Sequence, residues 1–165
     1  MRNCALWILV LVCLAVACRR GAPVSVKGYW GHTTERPAVD STFDWWTTDE
    51  EPLPDAVQAD ERITHLVRQI VQDELCRIGY RKRYGETTPT FFVITHLGRG
   101  FQPSPQGPED RATLAVEIRA GDDGRLIYLG HADAVVDTSL NPEERKSRIE
   151  RAIQEILKPF APCDP

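Results

Sequence analysis

Ala5 to Ala17 is apolar without a break, and no later stretch repeats that pattern. Beyond it the apolar positions fall into periods. Val24-Ser25-Val26 alternates and predicts a brief edge strand. "GYWGHTTERPAVD" is punctuated by Gly and Pro and predicts a loop. "STFDWW" gathers aromatic β-formers and predicts a strand, and "TTDEEPLPDA" an acidic, Pro-broken connection. Ile63, Leu66, Val67, Ile70, Val71, Leu75 and Ile78 then recur at helical spacing. Asp60 or Asp55 is suited to cap that helix and Gly79 to end it.

"PTFFVITHL" predicts a largely buried strand, followed by a loop over "GRGFQPSPQGPED". Leu114, Val116 and Ile118 alternate with polar or small residues, so the next strand buries one face. "GDDG" is turn chemistry and joins it as a hairpin to "RLIYLGHADA". Asn141-Pro142-Glu143-Glu144 carries an N-cap, a proline for the first helical position and the acid of a capping box. Ile149, Ala152, Ile153, Ile156 and Leu157 stripe the helix that follows, which ends at "KPF". The order predicts an α+β domain: a mainly antiparallel sheet of about five strands with two helices packed on one face. A right-handed crossover through the first helix makes "STFDWW" and "PTFFVITHL" parallel. The C-terminal ends of both helices then fall on the same side.

The opening run is too short to span a bilayer. As helix, its length is about 20 Å against a hydrocarbon core of about 30 Å. With Arg2 before it and small Ala15 and Ala17 at its end, it has the form of an export signal. Leu14-Ala15-Val16-Ala17-Cys18 resembles the bacterial lipobox, in which the cysteine thiol is lipidated and becomes the mature N-terminus. Cys13 competes poorly because bulky Val12 precedes it. Plain secretion with an incidental cysteine is the alternative. Arg19 rather than Asp after the cysteine implies, by resemblance to sorted lipoproteins, the periplasmic face of the outer membrane in a two-membrane host. The expected layout is a lipoprotein signal peptide over 1–17, a lipidated tether over 18–23 and a single domain over 24–165.

Removing residues 1–17 leaves 148 of the 165 residues, the size of one domain with a substantial core. Arg2 is the only charge removed, so the formal charge passes from −4 to −5. No basic stripe points to nucleic acid, and none is expected as a partner.

An oxidising compartment gives the remaining cysteines a meaning. Cys76 lies opposite the apolar stripe of its helix, and Cys163 follows the last helix at the end where Cys76 is expected. A disulfide between Cys76 and Cys163 is the expectation, with two free thiols as the alternative. His131 and Asp133 alternate on one strand, with His96 on another, but they lack the spacing of a metal cluster. Asp122-Asp123-Gly124 lacks the acids of a calcium loop, and Gly98-Arg99-Gly100 is too short for a phosphate cradle. No GxSxG or HExxH occurs. No metal, cofactor or catalytic residue is therefore expected. Of Trp45 and Trp46, one should face in and the other out.

"STFDWW", "ELCRIGY", "ATLAVEIRAGDDGRLIYLGHADA" and "ILKPFAP" together resemble the bacterial lipoprotein domain of unknown function numbered 4136, over roughly Val24 to Pro162. The most specific part is Thr113-Leu114-x-Val116-x-Ile118, an acidic turn, then Leu126-Ile127-Tyr128-x-Gly130-x-Ala132. Tyr128 stands for the usual Trp, Glu117 for the usual Asp, and Thr90 where Asp often follows Pro. The resemblance implies a lipid-anchored periplasmic α+β domain and transfers no catalytic residues. The function expected is a non-catalytic binding or accessory module of the cell envelope, held to the membrane through Cys18 and engaging an envelope protein partner. The alternative is a small periplasmic hydrolase or metal-binding enzyme using His96, His131 and Asp133, which requires the three to converge in one pocket.

Overall fold

A computed structural model describes residues 24–31, 36–46, 61–105 and 107–162. The signal segment, Cys18 and Cys163 lie outside the described residues. The elements in chain order are β1 (Ser25–Trp30), β2 (Thr42–Trp45), α1 (Glu61–Arg77), β3 (Arg81–Lys82), β4 (Phe91–Gln102), β5 (Glu109–Ala120), β6 (Leu126–Val135) and α2 (Pro142–Leu157). A single 3-10 turn, Lys158–Phe160, closes the series.

The fold is α+β, with one six-stranded sheet in the order β1-β6-β5-β4-β2-β3. The expected sheet was mainly antiparallel, with about five strands; the sheet found has six and is mixed. β1, β6, β5 and β4 pair antiparallel, while β2 runs parallel to both β4 and β3. The β2–β4 pairing is the parallel arrangement that a crossover through α1 requires. The added strand, β3, is two charged residues long, too short to show any period.

Three strands outrun their expected bounds. β1 continues through Gly28-Tyr29-Trp30, where a loop was expected, because Gly28 lies opposite Gly130 and leaves room for the Tyr128 ring. β4 and β5 continue as a hairpin through Gln102 and Glu109, shortening the expected Gly- and Pro-rich loop to a few residues. Ladder hydrogen bonds carry this extension where most of β4's side chains are already exposed.

α1 ends as its sequence demands. Gly79 takes φ +102°, the Gly79 amide donates to the Cys76 carbonyl at 3.1 Å, and the Tyr80 amide donates to the Leu75 carbonyl at 3.0 Å. That pair of bonds is a Schellman termination. α2 opens with the capping box: the Asn141 side chain accepts from the Glu144 amide at 2.9 Å, and the Asn141 amide donates to Glu144 Oε2 at 3.0 Å.

Both helices pack on the same face. Val67, Ile70, Val71 and Leu75 of α1 and Ala152, Ile153 and Ile156 of α2 share one buried cluster with Val93, Leu114, Val116 and Ile118 of the sheet. At the C-terminal ends of the helices Phe43, Tyr80, Phe91, Tyr128 and Phe160 meet ring to ring. The Tyr80–Phe160 contact joins the residues just beyond α1 and α2, so the two helices do end on the same side. A register shift at Ile118/Arg119 lets consecutive Ile127 and Tyr128 both join the core.

Candidate functional site

The face of the sheet away from the helices carries the histidines. His96 of β4 lies opposite Ala115 of β5, and Ala115 lies opposite His131 of β6, so the three share one row and one face. Two inter-strand spacings put the histidine backbones roughly 10 Å apart, with Ala115 between them. Each turns to its own carboxylate. His96 Nε2 lies 3.2 Å from Glu117 Oε2, and His131 Nε2 lies 3.6 Å from Asp133 Oδ2. Glu117 is also bonded to Arg119, and Asp133 accepts from the Thr113 hydroxyl at 2.6 Å. Tyr29 stacks on His131 at 5.8 Å between ring centroids. The row is an open polar surface of local pairs, and no group of three metal-ligating side chains occurs among the described residues.

Trp45 packs against the core with Arg68 over its ring at 5.4 Å. Trp46, on the other face, meets Phe92 edge to face at 4.8 Å and is half-buried. Inward and outward positions are as expected, but neither ring stands free. Cys76 is exposed on α1, as its wheel position implies, and it is the only one of the five cysteines among the described residues.

A cleft that the sequence did not announce lies on the helical face. It holds about 580 Å³ and opens at the N-terminal ends of the two helices, away from the aromatic cluster. Its origin is a drop in side-chain size. Along β6 the positions facing the helices run Tyr128, Gly130, Ala132, Ala134. Ala112 of β5 and Ala152 of α2 extend the same pattern of small residues around the cleft. Large side chains fill the sandwich at one end; at the other, alanines leave it open. Ile63 of α1 was expected in the buried stripe, yet it is 44% exposed because it borders this opening.

Four of the lining side chains are charged. Arg99 of β4 and Arg145 and Arg148 of α2 line the cleft beside Asp137. Arg99 grips Asp110 through both carboxylate oxygens, and those hydrogen bonds chiefly hold the Asp110 carboxyl below its ordinary range. The Asp137 carboxyl is likewise lowered, first by the Ser139 hydroxyl and amide, with a smaller contribution from the Arg148 charge. Arg145 is exposed and donates its Nε–H to the Leu140 carbonyl at 2.9 Å. Val24 also lines the cleft, so the chain enters the domain beside it. None of His96, His131 and Asp133 lines it.

No family model matches the chain, and no curated protein matches it. Solved structures of similar fold do occur. A PDZ domain protein from Parabacteroides distasonis ATCC 8503 aligns with a TM-score of 0.57 at 10% identity, over 88% of this chain and 37% of that one. The chain thus spans little more than a third of that protein's length. The PelC dodecamer from Paraburkholderia phytofirmans aligns with a TM-score of 0.54 at 12% identity, over 86% of this chain and all of that one. A variant of that dodecamer aligns at 0.53 and 13% identity over the same shares. At these identities the likeness establishes a shared fold and leaves function to the residues of this chain.

Proposed function

We propose that this chain is a lipoprotein of the 4136-like domain family, anchored through Cys18 at the periplasmic face of the outer membrane and acting as a non-catalytic binding or accessory module of the envelope. The observation that carries the reading is Leu14-Ala15-Val16-Ala17-Cys18 closing a thirteen-residue apolar run, with a folded domain beginning at β1 a few residues later. One acyl chain holds a protein to a membrane only marginally and two or more hold it stably, so the multiply acylated terminus of a lipoprotein suffices without a spanning helix. The family proposal rests on the β5–turn–β6 motif, whose Leu114, Val116, Ile118 and Tyr128 all lie in the core.

The site geometry favours binding over chemistry. The cleft between the sheet and the helices is mostly apolar, and the histidines stand outside it, each beside its own carboxylate. The alternative, a small hydrolase or metal-binding enzyme, draws on His96, His131 and Asp133; in its favour are the single face they share and the closeness of His131 to Asp133. The test is in-cell crosslinking and capture of the full-length chain beside Cys18→Ser. A partner recovered with the wild type and lost with Cys18→Ser supports an anchored accessory subunit. Wild-type protein found wholly in the soluble fraction contradicts it.

A further inference from the structure

We propose that the cleft between the sheet and the N-terminal ends of α1 and α2 binds one long-chain fatty acid, with its tail over the alanine floor and its carboxylate at the arginine rim. The inference deepens the anchored-module reading and rests on it for the source of the ligand. Three observations carry it. A volume of about 580 Å³ suits a small-molecule site. The floor is aliphatic, made by Ala112, Leu114, Ala132 and Ala134, and an opening walled this way gains most from an aliphatic occupant. Arg145 lines the mouth as an exposed guanidinium with its Nε–H on the Leu140 carbonyl and no ion pair among the described residues, and it complements a single carboxylate.

The backbone argues against an extended peptide as occupant. At the floor, β5 is hydrogen-bonded to β4 on one side and β6 on the other, and β6 as far as Asp133 is bonded in turn to β1. Its main-chain groups are therefore committed to the sheet, and a peptide seated there would bury its own amides without partners. A hydrocarbon chain carries no such groups. Position agrees with the source. Val24 lines the cleft, and Cys18 lies six residues before it, a span of at most about 20 Å. A domain anchored through Cys18 thus holds this mouth close to a lipid surface.

The experiment uses full-length protein in nanodiscs, photolabelled with a diazirine-bearing palmitate, and maps the crosslinks by tandem mass spectrometry. Labelling is expected on the β5 and β6 peptides that carry Ala112, Leu114, Ala132 and Ala134. Competition by unlabelled fatty acids should strengthen by roughly tenfold for each two carbons added, until the cleft is full. Ala112→Trp, at an exposed floor position, should abolish the labelling by filling the cleft. Arg145→Glu should weaken it by at least fivefold, and Arg145→Lys should restore most of the loss. Labelling that spreads over the surface, ignores chain length, or survives both Ala112→Trp and Arg145→Glu overturns the proposal. So does an empty result in which residues of the chain itself, or a second copy, protect the floor. Failure here with the protein still in the membrane fraction leaves the anchored module standing. A labelled cleft on a chain absent from membranes removes the anchor instead.

Discussion

Tyr128 lies across Gly28 and Gly130, and its hydroxyl donates to the Ile156 carbonyl at 2.8 Å. A Cβ on Gly130 would stand 2.7 Å from Ile156 Cγ2 and 2.8 Å from the Tyr128 ring, so glycine there is a packing requirement. Trp30 and Phe160 flank the same ring at 5.1 Å. Removing only the hydroxyl, with Tyr128→Phe, should cost about 1 kcal/mol in urea unfolding. Burial pushes the hydroxyl pKa values of both Tyr128 and Tyr80 above the ordinary 10.0. In the unfolded chain both ionise near the ordinary value, so the unfolded state releases protons first and stability falls as pH rises above about 10. Unfolding midpoints should therefore be level from pH 7 to 9 and decline from pH 10 upward, less steeply in Tyr128→Phe. Equal slopes in the two proteins would remove Tyr128 from the account.

At the scale of elements, α2 depends on its cap. Asn141 and Glu144 satisfy two backbone amides between them, one through each side chain. Asn141→Ala should cost about 1 kcal/mol, seen as a thermal midpoint lowered by a few degrees. The cap, the apolar stripe of α2 and the Gly79 termination of α1 were all legible in the sequence, because each depends on neighbours a few residues apart. The parallel pairing of β2 with β4 was legible too, from connection rules. What escaped were features whose cause lies far along the chain. Gly28 looks like a strand breaker until Tyr128 is seen to need its space. β3 has no period to read, and the β4–β5 extension lies where exposure blurs the alternation. The cleft left the faintest trace, a change from Tyr128 to the small residues Gly130, Ala132 and Ala134 that gains meaning only when Ala112 and Ala152 are brought beside it. The histidines shared a face, as strand alternation allows, but the Ala115 row between them depends on a register that sequence alone does not supply.

Across the whole molecule, the two ends of the sandwich differ in kind. The end where both helices terminate is filled by aromatic rings and closed by the Tyr80–Phe160 contact. The opposite end is lined by alanine, rimmed by arginine and bordered by the residue at which the described domain begins. Cys76 lies on the last turn of α1 at the closed end, and the described chain stops at Pro162, just before Cys163. The expected bridge from Cys76 to Cys163 would close a long loop and contribute about 4–5 kcal/mol in the chain-entropy account. Non-reducing peptide mapping should recover the two cysteines as one linked species; finding both alkylated without reductant would discard the bridge.

The anchored-module proposal turns on Cys18. The most direct measurement is mass spectrometry of the N-terminal peptide from full-length protein recovered from the membrane fraction. The account predicts a mature chain beginning at Cys18 and carrying a diacylglyceryl thioether, and it predicts that Cys18→Ser protein keeps residues 1–17 uncleaved. A chain cleaved to a bare Cys18 thiol, or one cut at any other residue, would contradict it.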